Sequence, residues 1–207
     1  MPKLKDFGLY FITDSKLTKK TVIDDVKSAI KSGVKIIQYR EKEAPIKQML
    51  EKAKEIKKLC QKNSVIFLVN DRIDIALAAD ADGVHLGQGD ARYETARKLL
   101  GKNKIIGLTA HNVKESVEAE KLGADYIGLS PIFSTSTKAD AGKACGTEMI
   151  TQVKKYVKIP IVAIGGINES NIGQVLKAGA KNIAIISAIL TKDDVERAVK
   201  GFIGKIN

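Results

Sequence analysis

The sequence predicts an α/β fold, a closed (β/α)8 TIM barrel occupying residues 1–207 as a single catalytic domain. Three observations predict it. Eight short apolar bursts recur along the chain, segments with helical periodicity separate them, and one helix-end motif repeats.

The bursts run from Leu9 to Thr13, Lys35 to Tyr39, Val65 to Val69, Gly83 to Leu86, Ile105 to Thr109, Tyr126 to Leu129, Ile161 to Ile164 and Ile183 to Ile186. Most are apolar on successive residues, the pattern of parallel strands covered on both faces. Between them lie helical stripes such as Val22, Val26 and Ile30, or Val113, Val117 and Leu122. Asn112 with Glu115 reads as a capping box, and Asn168 as the cap of a helix through Leu176. Gly33, Gly123 and Gly179 suit left-handed helix ends, each followed by a strand, and together they form the repeat. An open doubly wound sheet is the competing architecture, but eight evenly spaced units without a composition break favour closure.

The formal charge of +11 is spread along the helices as lysine, and the aromatic residues form no stacking array, so nucleic acid is not expected as a partner. An anionic small substrate accounts for the charge equally well. No apolar run is long enough to cross a bilayer and no leader is apparent, so no membrane role and a cytoplasmic location are expected. Cys60 and Cys145 lack zinc-binding spacing, and Cys60 reads as a buried apolar residue. The oligomeric state is not given by the sequence, and a homodimer is only the working assumption.

In a barrel of this kind the chemistry sits at the carboxyl ends of the strands. Asp71 and Asp90, on neighbouring strand ends, suit a hard cation that keeps positions for phosphate oxygens and water, with magnesium the natural choice. Either carboxylate alone reads equally as a helix cap, near Arg72 or near Ala91. Arg40, Lys42 and Lys138 place positive charge around the same mouth and suit a pyrophosphate. Gly165-Gly166 ahead of Asn168, with Ser187, Thr135 and Thr137, suits a second phosphate. His85 and His111 lack a partner at metal spacing and are expected in structural or peripheral roles.

These residues fall into motifs that resemble the thiamine-phosphate synthase family over nearly the whole chain: Gln38-Tyr39-Arg40-Glu41-Lys42, Val69-Asn70-Asp71, Gly83 to Gln88, Ala124 to Gly128, Thr135-Ser136-Thr137-Lys138 and Ala163 to Ile167. The resemblance implies a transferase with two small phosphorylated substrates, 4-amino-5-hydroxymethyl-2-methylpyrimidine pyrophosphate and 4-methyl-5-hydroxyethylthiazole phosphate. It implies that Gln38, Tyr39, Arg40, Glu41, Lys42, Asn70, Thr109 and Lys138 form the pyrimidine pyrophosphate site, with Arg40, Lys42 and Lys138 catalytic. It implies Asp71 and Asp90 as magnesium ligands, and Thr135, Ser136, Thr137, Gly166, Ile186 and Ser187 as the thiazole phosphate site. Two departures stand out, Ser134 where the family often has proline and Thr109 where many members have serine. A thiazole tautomerase of the same fold and a non-catalytic phosphate-binding barrel are the alternative readings.

Overall fold

The computed structural model describes residues 4–137 and 142–206. Eight parallel strands close in sequence order, each hydrogen-bonded to the next and the last to the first. They are β1 (Gly8–Ile12), β2 (Ile36–Tyr39), β3 (Ile66–Asn70), β4 (Gly83–Leu86), β5 (Ile105–Ala110), β6 (Tyr126–Leu129), β7 (Ile161–Ala163) and β8 (Asn182–Ile185). The helices around them are α1 (Val22–Lys31), α2 (Ile46–Lys62), α3 (Ile73–Ala78), α4 (Tyr93–Leu100), α5 (Val113–Leu122), α6 (Glu148–Val153), α7 (Ile172–Lys177), α8 (Ser187–Leu190) and α9 (Val195–Ile206). No helix of the described residues is long and apolar enough to cross a membrane.

Strand side chains alternate between two cores. Tyr10, Ile36, Leu68, Ile105, Tyr126, Val162 and Ala184 meet inside the barrel. Leu9, Phe11, Ile37, Phe67, Val84, Ile106, Ile127 and Ile183 pack outward against the helices. Burying a side chain such as Phe67 or Ile106 completely contributes roughly 1.5–3 kcal/mol, so strands buried on both faces anchor the fold. Cys60 lies in the outer core, where burial pushes its thiol up to about 12.

The helix-end expectations hold at Gly33, Gly123 and Gly179, all at positive φ. The Asn112 side chain accepts from Glu115 N at 2.9 Å, while Glu115 turns back to His111 N at 2.8 Å. The Asn168 expectation needs correction. Helix α7 begins only at Ile172, and Asn168 spends its side-chain oxygen on Ser170 N at 2.9 Å, building the turn ahead of the helix.

At the amino-terminal rim, acidic residues one position before a strand lock it to its neighbour. Asp82 accepts from Phe67 N at 2.8 Å and Asp125 from Ile106 N at 2.8 Å. Each also holds a cation, Lys57 Nζ at 2.6 Å and Arg97 Nη2 at 3.0 Å respectively.

Candidate active site

A cavity of about 870 Å³, counted out to its open mouth, occupies the carboxyl-terminal end of the barrel. That is within the usual range for a small-ligand site. Its floor is aromatic and its walls are the strand ends and the loops beyond them.

The floor depends on two strand glycines. A side-chain carbon at Gly107 would stand 2.1 Å from the Tyr126 ring, and one at Gly128 would stand 2.8 Å from the His85 imidazole. Their absence lets Tyr126 and His85 lie across the barrel, stacked with ring centres 5.5 Å apart. The polar atoms there form a chain. Gln38 Nε2 donates to the Tyr10 hydroxyl at 2.8 Å, which meets the Tyr126 hydroxyl at 2.9 Å. That hydroxyl meets His85 Nδ1 at 2.9 Å, and His85 Nε2 meets Thr109 Oγ1 at 2.9 Å. Burial raises both phenols above the ordinary tyrosine value.

On the β1–β4 side the groups are charged. Arg40 follows β2 and pairs with Asp14, a carboxylate only 6% exposed that also accepts from Lys16 N at 3.0 Å. The Arg40 backbone N–H is tied to Thr13 Oγ1 at 3.1 Å. The guanidinium is thereby aimed from both ends. Asp71 follows β3 in the left-handed region at φ 59°, held by a hydrogen bond from its N–H to His85 O at 2.9 Å. Such a conformation in a residue other than glycine costs about 1–3 kcal/mol and is concentrated at functional sites. The Lys42 ammonium pairs with Asp71. Asp90 accepts from Gly87 N at 2.6 Å and lies within hydrogen-bonding reach of Asp71. Burial, then the bond to Asp71 and that residue's negative charge, raise the Asp90 carboxyl above its ordinary value. Neither aspartate caps a helix: α3 starts after Arg72 and α4 after Arg92, both without a side-chain cap bond.

On the β6–β8 side the groups are small and hydroxylic. Thr135, Thr137, Gly165, Gly166, Ile186 and Ser187 line the cavity together. Gly165 and Gly166 sit at φ 103° and 64°, and a side-chain carbon on either would strike Pro131 or Ser134 O at 2.5 Å. Asn171 Nδ2 donates to Gly166 O at 2.8 Å and pins the turn.

The structure therefore gathers Gln38, Arg40, Asn70, Asp71, Thr109, Thr135, Thr137, Gly166, Ile186 and Ser187 around one space. Lys42 and Asp90 join at its rim through Asp71. Tyr39 is not among the lining residues: one place after Gln38, it faces the outer core. Glu41 folds back to accept from Lys42, Glu43 and Ala44 N–H groups and shapes its own loop, which holds its carboxyl below the usual range against the effect of burial. Ser136 is exposed beside the cavity, and Lys138 lies outside the described residues. The peripheral role expected for His85 is corrected by its place in the cavity wall, whereas His111 hydrogen-bonds through Nδ1 to Ser130 O at 2.6 Å. Sequence reasoning also left out Asp14, Tyr10 and Tyr126. The glycines within β5 and β6 were the available signal for the last of these, since a glycine in a strand often marks a close approach.

The description "Thiamine monophosphate synthase" belongs to a family model that matches residues 9–189. The chain belongs to that family. It is 54% identical to the thiamine-phosphate synthase of Methanosarcina barkeri over 203 residues, covering 98% of this chain and 92% of the relative. It is 46% identical to the thiamine-phosphate synthase of Chloroflexus aurantiacus, covering 94% and 90%. The solved thiamine phosphate pyrophosphorylase of Pyrococcus furiosus superimposes with a TM-score of 0.88 at 40% identity, covering 97% of each chain. The family's activity is a transferase reaction that joins the pyrimidine pyrophosphate to the thiazole phosphate, giving thiamine phosphate and pyrophosphate. These relatives carry the synthase name, which decides against the tautomerase and the silent-barrel readings.

Proposed function

We propose that the synthase reaction runs in this cavity with its two substrates on opposite arcs of the barrel mouth, and with magnesium between Asp71 and Asp90. The observation that carries this reading is the division of the wall. Arg40, Asn70, Asp71 and Asp90 follow β2, β3 and β4, whereas Thr135, Thr137, Gly166 and Ser187 follow β6, β7 and β8.

The donor set fits a hard divalent cation. Two carboxyl groups close enough to share a proton repel each other once both are ionised, and a cation relieves that repulsion. Among the described residues no group of three or more histidine, cysteine or acidic side chains is placed to hold a metal, so two protein ligands would leave positions for phosphate oxygens and water. The ion would bridge such oxygens and neutralise negative charge.

The remaining work falls to the chain's own residues. The bond from the pyrimidine methylene carbon to pyrophosphate oxygen breaks, and its electron pair leaves on that oxygen. The Arg40 fork, held by Asp14, and the Lys42 and Lys138 ammonium groups stabilise this developing charge. The resulting pyrimidine-stabilised cation is captured by the lone pair of the thiazole nitrogen, forming the new carbon–nitrogen bond. Turn N–H groups near Gly166, with the hydroxyls of Thr135, Thr137 and Ser187, hold the thiazole phosphate so that this nitrogen faces the methylene. No protein nucleophile is required. Both cysteines are free thiols, which suits a reducing, cytoplasmic setting.

Incubating the enzyme with both substrates and magnesium, against each substrate alone and against both with a chelator, tests the reading. Thiamine phosphate should form only in the complete mixture. Full-rate synthesis with chelator present would remove magnesium from the account.

A further inference from the structure

The hydrogen-bond chain under the cavity has a direction that the positions of its atoms determine. Gln38 commits Nε2 to the Tyr10 hydroxyl, and Tyr10 is 1% exposed. Having accepted that bond, Tyr10 satisfies its own proton among the described residues by donating to Tyr126. Tyr126, fully buried, must then donate to His85 Nδ1. A neutral imidazole accepting at Nδ1 carries its proton at Nε2 and donates to Thr109 Oγ1. Every link is used once, and the direction reaches both ends.

At each end a polar group is left over, and both ends line the cavity. Gln38, with its nitrogen engaged, offers the Oε1 acceptor. Thr109, having accepted from His85, offers its hydroxyl proton. The cavity therefore presents one acceptor from β2 and one donor from β5, on opposite sides of the barrel. An aminopyrimidine is the complement of that pair, with an exocyclic amine that donates and ring nitrogens that accept. A pyrimidone, with a carbonyl in place of the amine and a proton on a ring nitrogen, offers the reverse.

We propose that Tyr10, Tyr126 and His85 are positioning residues that fix the donor–acceptor polarity of Gln38 and Thr109, and so select an aminopyrimidine over its oxo counterpart. This rests on the pyrimidine binding in this cavity, as proposed above. Both phenols are kept protonated by burial, so the polarity does not change with the neighbouring charges.

Two measurements test it. Nitrogen-15 spectra of histidine-labelled enzyme report which ring nitrogen carries the proton. With two histidines in the sequence, His111→Gln assigns the signals. The expected result is His85 protonated at Nε2. The second measurement compares 4-amino-5-hydroxymethyl-2-methylpyrimidine with its 4-oxo counterpart as competitive inhibitors. The unaltered enzyme should prefer the amino form by about tenfold or more, the scale of one mismatched buried hydrogen bond. Tyr126→Phe breaks the chain and frees the imidazole to carry its proton on either nitrogen. Its preference should fall to within about threefold, with the KM for thiazole phosphate unchanged. Tyr10→Phe cuts a different link and should do the same, which keeps the test open if one variant fails to fold. A proton on Nδ1 in the unaltered enzyme, or full discrimination in folded variants, overturns the proposal. Imidazole signals that ignore saturating pyrimidine reject the seat assigned above, and this inference with it.

Discussion

Two pairs of aspartates sit at opposite rims of the same barrel in opposite circumstances. At the amino-terminal rim, Asp82 and Asp125 each have a strand N–H and a cation of their own. At the carboxyl-terminal rim, Asp71 and Asp90 have each other, one lysine and a single loop N–H, and Asp71 stands on a left-handed backbone. Residues of one chemical type are thus satisfied where the barrel is held shut and unsatisfied where it opens. The difference teaches that unrelieved charge, more than the presence of charge, marks the working face.

The comparison breaks most visibly in activity. Asp90→Asn or Asp71→Asn should lower the rate by about 10²–10³, the usual effect of removing one electrostatic contact to a developing charge, while the melting temperature stays level or rises. Turnover at limiting magnesium and a thermal melt check both halves. Near-normal turnover would show that the carboxyl-terminal pair is no different from the other.

A second split lies within the working face itself. Lys138→Ala should slow the chemical step, measured by rapid quench with both substrates preloaded, by a similar factor of about 10²–10³. Ser187→Ala removes a contact to a phosphate whose charge does not change, so it should raise the KM for thiazole phosphate about tenfold and leave the quenched step nearly unaltered. Equal effects on that step would merge the two arcs into one site.

The amino-terminal rim gives the smallest effect and the opposite kind. Asp125→Ala leaves the Ile106 N–H and the Arg97 guanidinium without their partner, which should cost about 1–3 kcal/mol by urea unfolding. The side chain is part-exposed, so the lower end is expected. Asp125→Asn keeps an acceptor for Ile106 and should lose less. The kcat of both variants, measured at 25 °C where the fold still holds, should be unchanged.

Most of the barrel was legible because a strand covered on both faces leaves a run of apolar residues that helices do not imitate at that length. The Gly83–Leu86 and Tyr126–Leu129 strands match their sequence bursts at both ends. The site was legible as motifs and less so as directions. Gln38 and Tyr39 stand side by side in one motif, yet only closure of the sheet decides that the first faces the cavity and the second the helices. His85 was misjudged for the same reason. Its neighbours across the barrel come from β5 and β6, and no local spacing reveals them. Asn168 failed on a subtler point, since Ser170 offers its side chain a nearer donor than the helix does.

The glycines of β5 and β6 have a consequence for evolution as well as for packing. Because Tyr126 and His85 rest where those strands carry no side chain, the depth of the well is written in two absent methyl groups. Alanine at position 128 would lift the imidazole toward the mouth and leave a shallower well, with the rim chemistry intact. A descendant of this barrel could therefore turn to smaller molecules through one codon in the floor while keeping its whole apparatus for handling phosphate.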